Sequence, residues 1–180
     1  MPGNTTFRNA IHEYLDKGKQ YWSKLGIDIL LGSPTDAVMT TSQQQFLPDN
    51  LMISMDSVRN TKLVLQRNIV FEPLPVVDAF VWFTPMVFFS VLLFFFIALH
   101  LSKNKVVQLT ASGLDGFLFF MTGLIGILLI FMMTATDHSM TKSNYNIIWA
   151  WPTHIIAAFF INSKKKIIKF YFLVDRKSVV

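Results

Sequence analysis

At 180 residues the chain has room for one or two domains, and 52% of its residues are apolar, gathered into runs rather than alternating, a pattern that favours a membrane protein over a soluble core. It contains no cysteine, which excludes a disulfide framework, a thiolate metal site and a Cys nucleophile within these residues. The net charge of +5 is not a nucleic-acid footprint: before residue 78 seven basic residues stand against seven acidic ones, so the excess lies on the flanks of the apolar runs, where membrane proteins carry Lys and Arg.

The first element expected is a helix. Asn4, Thr5 or Thr6 can cap it, because a short polar side chain accepts from the free amides of a first turn. Phe7, Ala10, Ile11, Tyr14 and Leu15 then follow helical spacing and make one apolar stripe, ending near Gly18. His12 falls off that stripe beside Glu13 and reads as part of a solvated face. An apolar stretch from Trp22 to Leu31 closes at the turn signal Gly32-Ser33-Pro34. A short helix is expected from Thr41 or Ser42 through Gln45, stopping before Pro48. Another is expected over 48–55, with Pro near its first turn. Residues 63–71 have β-branched and aromatic character and read as a strand, or two with a turn near Arg67-Asn68. This soluble portion is small for an independent core.

Three apolar runs follow, at about 79–101, 117–134 and 147–161, joined to the soluble portion through Pro73 and Pro75. A helix rises about 1.5 Å per residue, so each of the first two is long enough to approach a hydrocarbon core of about 30 Å. Trp82 is placed as an interfacial anchor, and 106–115 as a short loop. The fold class expected is therefore mainly α: a partial soluble N-terminal segment followed by three transmembrane helices, with residues 164–174 as the start of a truncated fourth. Lys103, Lys105, Lys164, Lys165, Lys166 and Lys169 flank one side, and the intervening 135–146 loop on the other side carries only Lys142. That asymmetry puts the first group in the cytoplasm, and residues 1–77 with the 135–146 loop on the periplasmic side of a bacterial inner membrane.

Two groups attract chemistry. Asp137 and His138, with Asn144 and Asn146, form the most concentrated polar cluster; a carboxylate beside an imidazole can orient a proton carrier or bind a metal. Adjacent residues, however, seldom aim their side chains at one point, and polar residues belong in loops anyway. His154 lies midway through the third run, where a titratable ring faces either a functional cavity or a neighbouring helix, with Thr122 and Ser90 as candidate partners. Gly123 and Gly126 allow close helix approach and lack the four-residue spacing of a dimer motif, so they read as packing residues. No Gly-rich phosphate loop, paired metal-binding histidines or nucleophile elbow is present. No cofactor or metal is expected, and the partners expected are the lipid bilayer and an envelope substrate or protein, with no nucleic acid.

At GIDILLGSPTD, at QQQFLPDNLM and above all at TDHSMTKSNYNIIWAWPTHIIAAFF, the chain resembles the C-terminal part of a bacterial family of unknown function common in Bacteroidetes. Members have an Lnb-type N-terminal periplasmic domain and a multi-helix membrane tail. The resemblance implies a periplasmic domain of circularly permuted papain type, whose nucleophile would be a Cys in an Asn-Cys-Thr-Thr-like segment opening a helix. Here Gly3-Asn4-Thr5-Thr6 occupies that place, with Asn4 where Cys would be, and the half that would carry the His is not in this chain. The expectation is of a fragment at both ends, with residues 175–180 translating a sequencing adapter. The function implied is the membrane-anchored portion of a hydrolase-like envelope protein of unknown substrate, its catalytic half missing here. The alternatives are a transporter or proton-path module using His154, and a structural membrane anchor.

Overall fold

The computed structural model describes residues 5–56, 66, 68 and 81–161. Among them the chain is mainly α, as expected, with six α-helices and no strand. The expected strand at 63–71 lies almost entirely outside the described residues, as do Asn4, the further run at 164–174 and residues 175–180.

Helix α1 spans Phe7–Lys17 and α2 spans Tyr21–Leu30. Of the three candidate caps of α1 it is Thr6 whose side chain accepts from the Asn9 amide, the hydrogen bond that an N-cap supplies. The residue just before α1 is pinned by an isolated antiparallel bridge between Thr6 and Val38. After α2 the chain turns through short 3-10 segments at Ser33–Asp36 and Gln43–Phe46, and α3 covers Pro48–Asp56. The Tyr14 hydroxyl donates to Asp49 at 2.6 Å, tying α3 to α1.

Helix α4, Pro85–Leu101, is capped by Thr84 and starts with proline, the position at which a missing N–H costs nothing. Residues 81–84, expected as its first turn, are not helical. Helix α5 is longer than its sequence suggested. It runs Lys105–Thr134 without interruption, so residues 106–115, expected as a loop, form its first three turns. Asn104 caps it by accepting from the Val106 amide, and nothing in VVQLTASGLD breaks a helix. Its length of about 45 Å exceeds a hydrocarbon core of about 30 Å, and it is the one described helix both long and apolar enough to cross a membrane.

The third run is not one helix. A 3-10 turn at Tyr145–Ile148 is followed by an irregular passage and then by a short helix α6, His154–Phe159. Pro152 explains the break, since it has no N–H to donate and keeps Trp151 out of the helical region. The broken segment lies along α5, and the glycines make that possible. A Cβ on Gly123 would stand 2.6 Å from the Ile155 amide nitrogen, and one on Gly126 would stand 2.9 Å from the Ala150 carbonyl carbon. Both are closer than a side chain can come, so the packing role expected of these two residues holds. Leu129, on the same stripe, is wholly buried.

Candidate functional site

The most elaborate polar structure lies where the N-terminal helices α1 and α2 meet the loop after α5. It begins with the end of α2. The last carbonyls of a helix have no partner inside it, and α2 has neither a Gly cap nor a basic last turn. Its carbonyls are satisfied from the far side of the sequence. Asn144, 2% exposed, donates through Nδ2 to the Ile29 carbonyl at 2.7 Å. Asn146 donates to the carbonyls of Asp28 and Ile29 at 3.1 and 3.0 Å. The backbone completes the joint: the Gly32 amide donates to the Met140 carbonyl and the Ser33 amide to the Ser143 carbonyl, at 2.8 and 3.2 Å. A Cβ on Gly32 would run into the backbone of Lys142, so only glycine admits this approach.

Against this joint stands a charged network. Arg8 donates to Asp28 at 2.8 Å and to Asp36 at 2.6 Å, and reaches the hydroxyl of buried Thr35 at 3.0 Å. The Asp36 hydrogen bond, with Asp28 adding to it, holds the Arg8 pKa above its ordinary value. The same guanidinium draws the Asp36 carboxyl below the usual carboxylate range. His12 contacts Asp28 through Nε2 at 2.7 Å. The expectation of a solvated His12 is therefore corrected: it is half-buried and paired, because Arg8 and His12 lie one turn apart on the face of α1 that meets α2. A cavity of about 270 Å³ opens between the two parts, lined by Arg8, Asp28, Ser33, Asp36, Asn144 and Tyr145 among others.

The structure divides the cluster read from the sequence. Asn144 and Asn146 are the clamp, whereas Asp137 and His138 lie exposed just past the end of α5. Among the described residues neither of those two side chains makes a hydrogen bond; the His138 contribution is its carbonyl, which accepts from the Thr141 hydroxyl at 2.8 Å. The network of Arg8, His12, Asp28 and Asp36 was not singled out from sequence. Its only local sign is the Arg8/His12 spacing, and nothing marks Asp28 as the partner.

His154 is 6% exposed and opens α6 rather than sitting inside a helix. Its ring stacks on Phe119 with centroids 5.1 Å apart. Nδ1 lies 2.7 Å from the Trp151 carbonyl; a carbonyl only accepts, so Nδ1 carries the proton in that bond. The expected partners Thr122 and Ser90 are not seen in that role: the Thr122 hydroxyl donates instead to the Leu118 carbonyl of its own helix.

A family model described as the Lnb transmembrane domain matches residues 77–178, more than half of the chain. The chain belongs to that family. No curated protein and no solved structure matches it. The Lnb transmembrane domain thus contains α4, α5, the clamp asparagines and His154, while Arg8, His12, Asp28 and Gly32 lie before it. Association with a lipid bilayer follows from membership. At the opposite end of the Lnb transmembrane domain His100 bridges α4 to α5, its Nε2 3.0 Å from Asp115.

His12 is oriented by Asp28 as a general base would be, but it hydrogen-bonds no hydroxyl or thiol among the described residues, and nucleophilic catalysis needs that third member. Nor do the described residues bring together three His, Cys, Asp or Glu side chains able to hold a metal ion. What the arrangement does well is hold two parts together.

Proposed function

We propose that this chain is the membrane-embedded part of a bacterial cell-envelope protein, and that it fixes a soluble periplasmic portion in one orientation on the outer face of the inner membrane. The observation that carries this reading is the clamp, in which side chains of the Lnb transmembrane domain close the end of a helix of the soluble portion. A tether alone needs no such joint. The placement of basic residues, six on the α4–α5 turn and after α6 against Lys142 beside the clamp, supports the clamp side as periplasmic. By the family resemblance, the soluble portion belongs to a hydrolase-like domain acting on an envelope component. Its chemistry would rest on residues other than those described, and Asn4 stands where the family's Cys would be.

The chain has no native cysteine, so single cysteines report cleanly. Asp137→Cys is expected to react with a membrane-impermeant maleimide added to spheroplasts; protection until the cells are lysed sinks the periplasmic placement. A proton-path role for His154 draws on its burial alone. Gly116–Thr134 and α6 contain no other ionisable side chain, and a relay through a membrane needs a succession of carriers. We therefore assign His154 to the turn at Trp151.

A further inference from the structure

We propose that α2 is an interfacial helix, lying along the bilayer surface with its Trp22–Leu25–Gly26–Ile29 face in the headgroup–acyl boundary of the lipid leaflet. The inference rests on the docking of the soluble portion proposed above and names what that portion touches besides protein.

Three observations converge. First, both ends of α2 are fastened to the same end of the membrane domain. At its start the Trp22 ring lies against Phe83, Phe88 and Phe89, with centroids 5.2, 5.4 and 6.3 Å away. Its Nε1 donates to the Phe83 carbonyl at 3.1 Å. The other end is held by the clamp at Asp28, Ile29 and Gly32. A helix of ten residues is about 15 Å long, so α2 forms a strap between the entry of α4 and the loop leaving α5.

Second, its charges all point one way. Lys24 and Asp28, four residues apart, share a face and meet α1: Lys24 pairs with Asp16 at 2.7 Å, and Asp28 with Arg8 and His12. Trp22, Leu25, Gly26 and Ile29 follow helical spacing on the opposite face, which carries no charge. Trp22 and Gly26 are exposed there, and Leu25 and Ile29 half-buried. A charged face above and an apolar face bearing Trp below is the pattern of a helix in the interface plane.

Third, the same end of the domain shows exposed Trp82, Tyr145 and Trp149. Aromatic side chains of this kind gather at the level of lipid headgroups, so the strap lies at the depth where lipid is its neighbour.

Gly26 provides the test. It is exposed, and a Cβ there would meet nothing within 4 Å, so Gly26→Cys accepts a nitroxide label without disturbing the helix. The full chain is reconstituted in phosphatidylethanolamine–phosphatidylglycerol vesicles, and collision with dissolved oxygen is compared with collision with a water-soluble nickel chelate. Glu13→Cys, on the exposed face of α1, is the aqueous reference. The expected result is a several-fold preference for oxygen at position 26 and the reverse at position 13. A label at 26 that behaves like the one at 13 overturns the proposal, because the face is then in water. A label shielded from both probes also overturns it, because protein then covers the face, whether a further helix of this domain or a second copy. A Ser33→Cys/Ser143→Cys pair separates the two readings. If its disulfide forms while position 26 is in water, docking stands and the interfacial helix falls; if it fails to form and position 26 is in water, both fall.

Discussion

Three glycines of α5 make a graded test of how the broken segment packs. A Cβ at Gly113 meets nothing within 4 Å; at Gly116 it would stand 3.2 Å from the Ala158 carbonyl oxygen; at Gly126 it would stand 2.9 Å from the Ala150 carbonyl carbon and closer still to that residue's oxygen. Alanine in place of glycine inside a helix gains about 1 kcal/mol from reduced backbone freedom, the same at all three sites. Overpacking costs about 1–3 kcal/mol when backbone must shift, and at Gly126 the obstructing atoms are backbone of a segment pinned by Pro152. Gly113→Ala should therefore stabilise by about 1 kcal/mol, Gly116→Ala should be near neutral, and Gly126→Ala should destabilise by up to about 2 kcal/mol. The assay is reversible unfolding in mixed micelles, followed by helical circular dichroism and by Trp emission, since Trp149 and Trp151 flank the displaced residue. If Gly126→Ala proves as stable as Gly113→Ala, residues 149–153 do not lie against α5 and the description of the third segment is wrong.

The clamp predicts coupling between its two asparagines. Both donate to the Ile29 carbonyl, so either Asn144→Ala or Asn146→Ala alone leaves that oxygen one donor, at a cost of about 1 kcal/mol each. The double substitution leaves it none and should cost more than the sum; strict additivity in equilibrium unfolding would show that the carbonyl is not shared. For Tyr14, donation to Asp49 pushes the pKa from 10.0 up to about 12. A raised folded-state pKa means that this contribution is complete below pH 10 and disappears as the pH climbs through about 12. One of the four tyrosines should titrate late by ultraviolet absorbance and return to the ordinary range in Asp49→Ala, and a titration unaffected by that substitution would refute the contact. At His154, Gln can still donate to the Trp151 carbonyl but Leu cannot. His154→Leu should thus lower stability more than His154→Gln, and equal stabilities would remove the turn-locking role.

Periodicity made much of this fold legible. The stripe of Phe7, Ala10 and Leu15 and the uninterrupted apolar run in α5 each specify a helix locally, and Thr6 and Pro48 mark helix starts by rules that need no tertiary information. The break at Trp151-Pro152 was also written locally, but the apolar character around it outweighed the proline in a reading guided by hydropathy. The continuation of α5 through residues 106–115 was hidden for the converse reason: Gln108, Thr110, Ser112 and Asp115 look like loop residues until it is seen that this part of the helix extends past the apolar core. The site was legible only in half. Asn144 and Asn146 stand out as polar residues in a loop, yet their partners are backbone carbonyls, which every residue has, so sequence cannot point to Ile29. The Arg8–Asp28 and His12–Asp28 pairs likewise depend on how α1 lies on α2, and helical spacing gives the face of each helix without its neighbour.

The clamp also bears on how the N-terminal portion acquires its shape. Helix α2 has ten residues, fewer than an isolated helix needs to persist in water. Its Gln20 N-cap makes no side-chain hydrogen bond, and among the described residues the side-chain donors to its last carbonyls lie beyond residue 140. Helix α1 cannot compensate by itself, because the ion pairs that join it to α2 are partly exposed and such pairs contribute little alone. The order of formation follows from these terms. Residues 21–30 should gain helix stability once the loop after α5 is in place to close their C-terminal end, and that loop is followed by residues 149–159 packed on Gly123 and Gly126. Substitutions deep in the membrane domain, such as Gly126→Ala, should on this reasoning loosen a helix far from them in sequence. On the proposed reading, helix α2 is completed by the Lnb transmembrane domain through backbone and side-chain hydrogen bonds, where a flexible linker would have served for attachment alone.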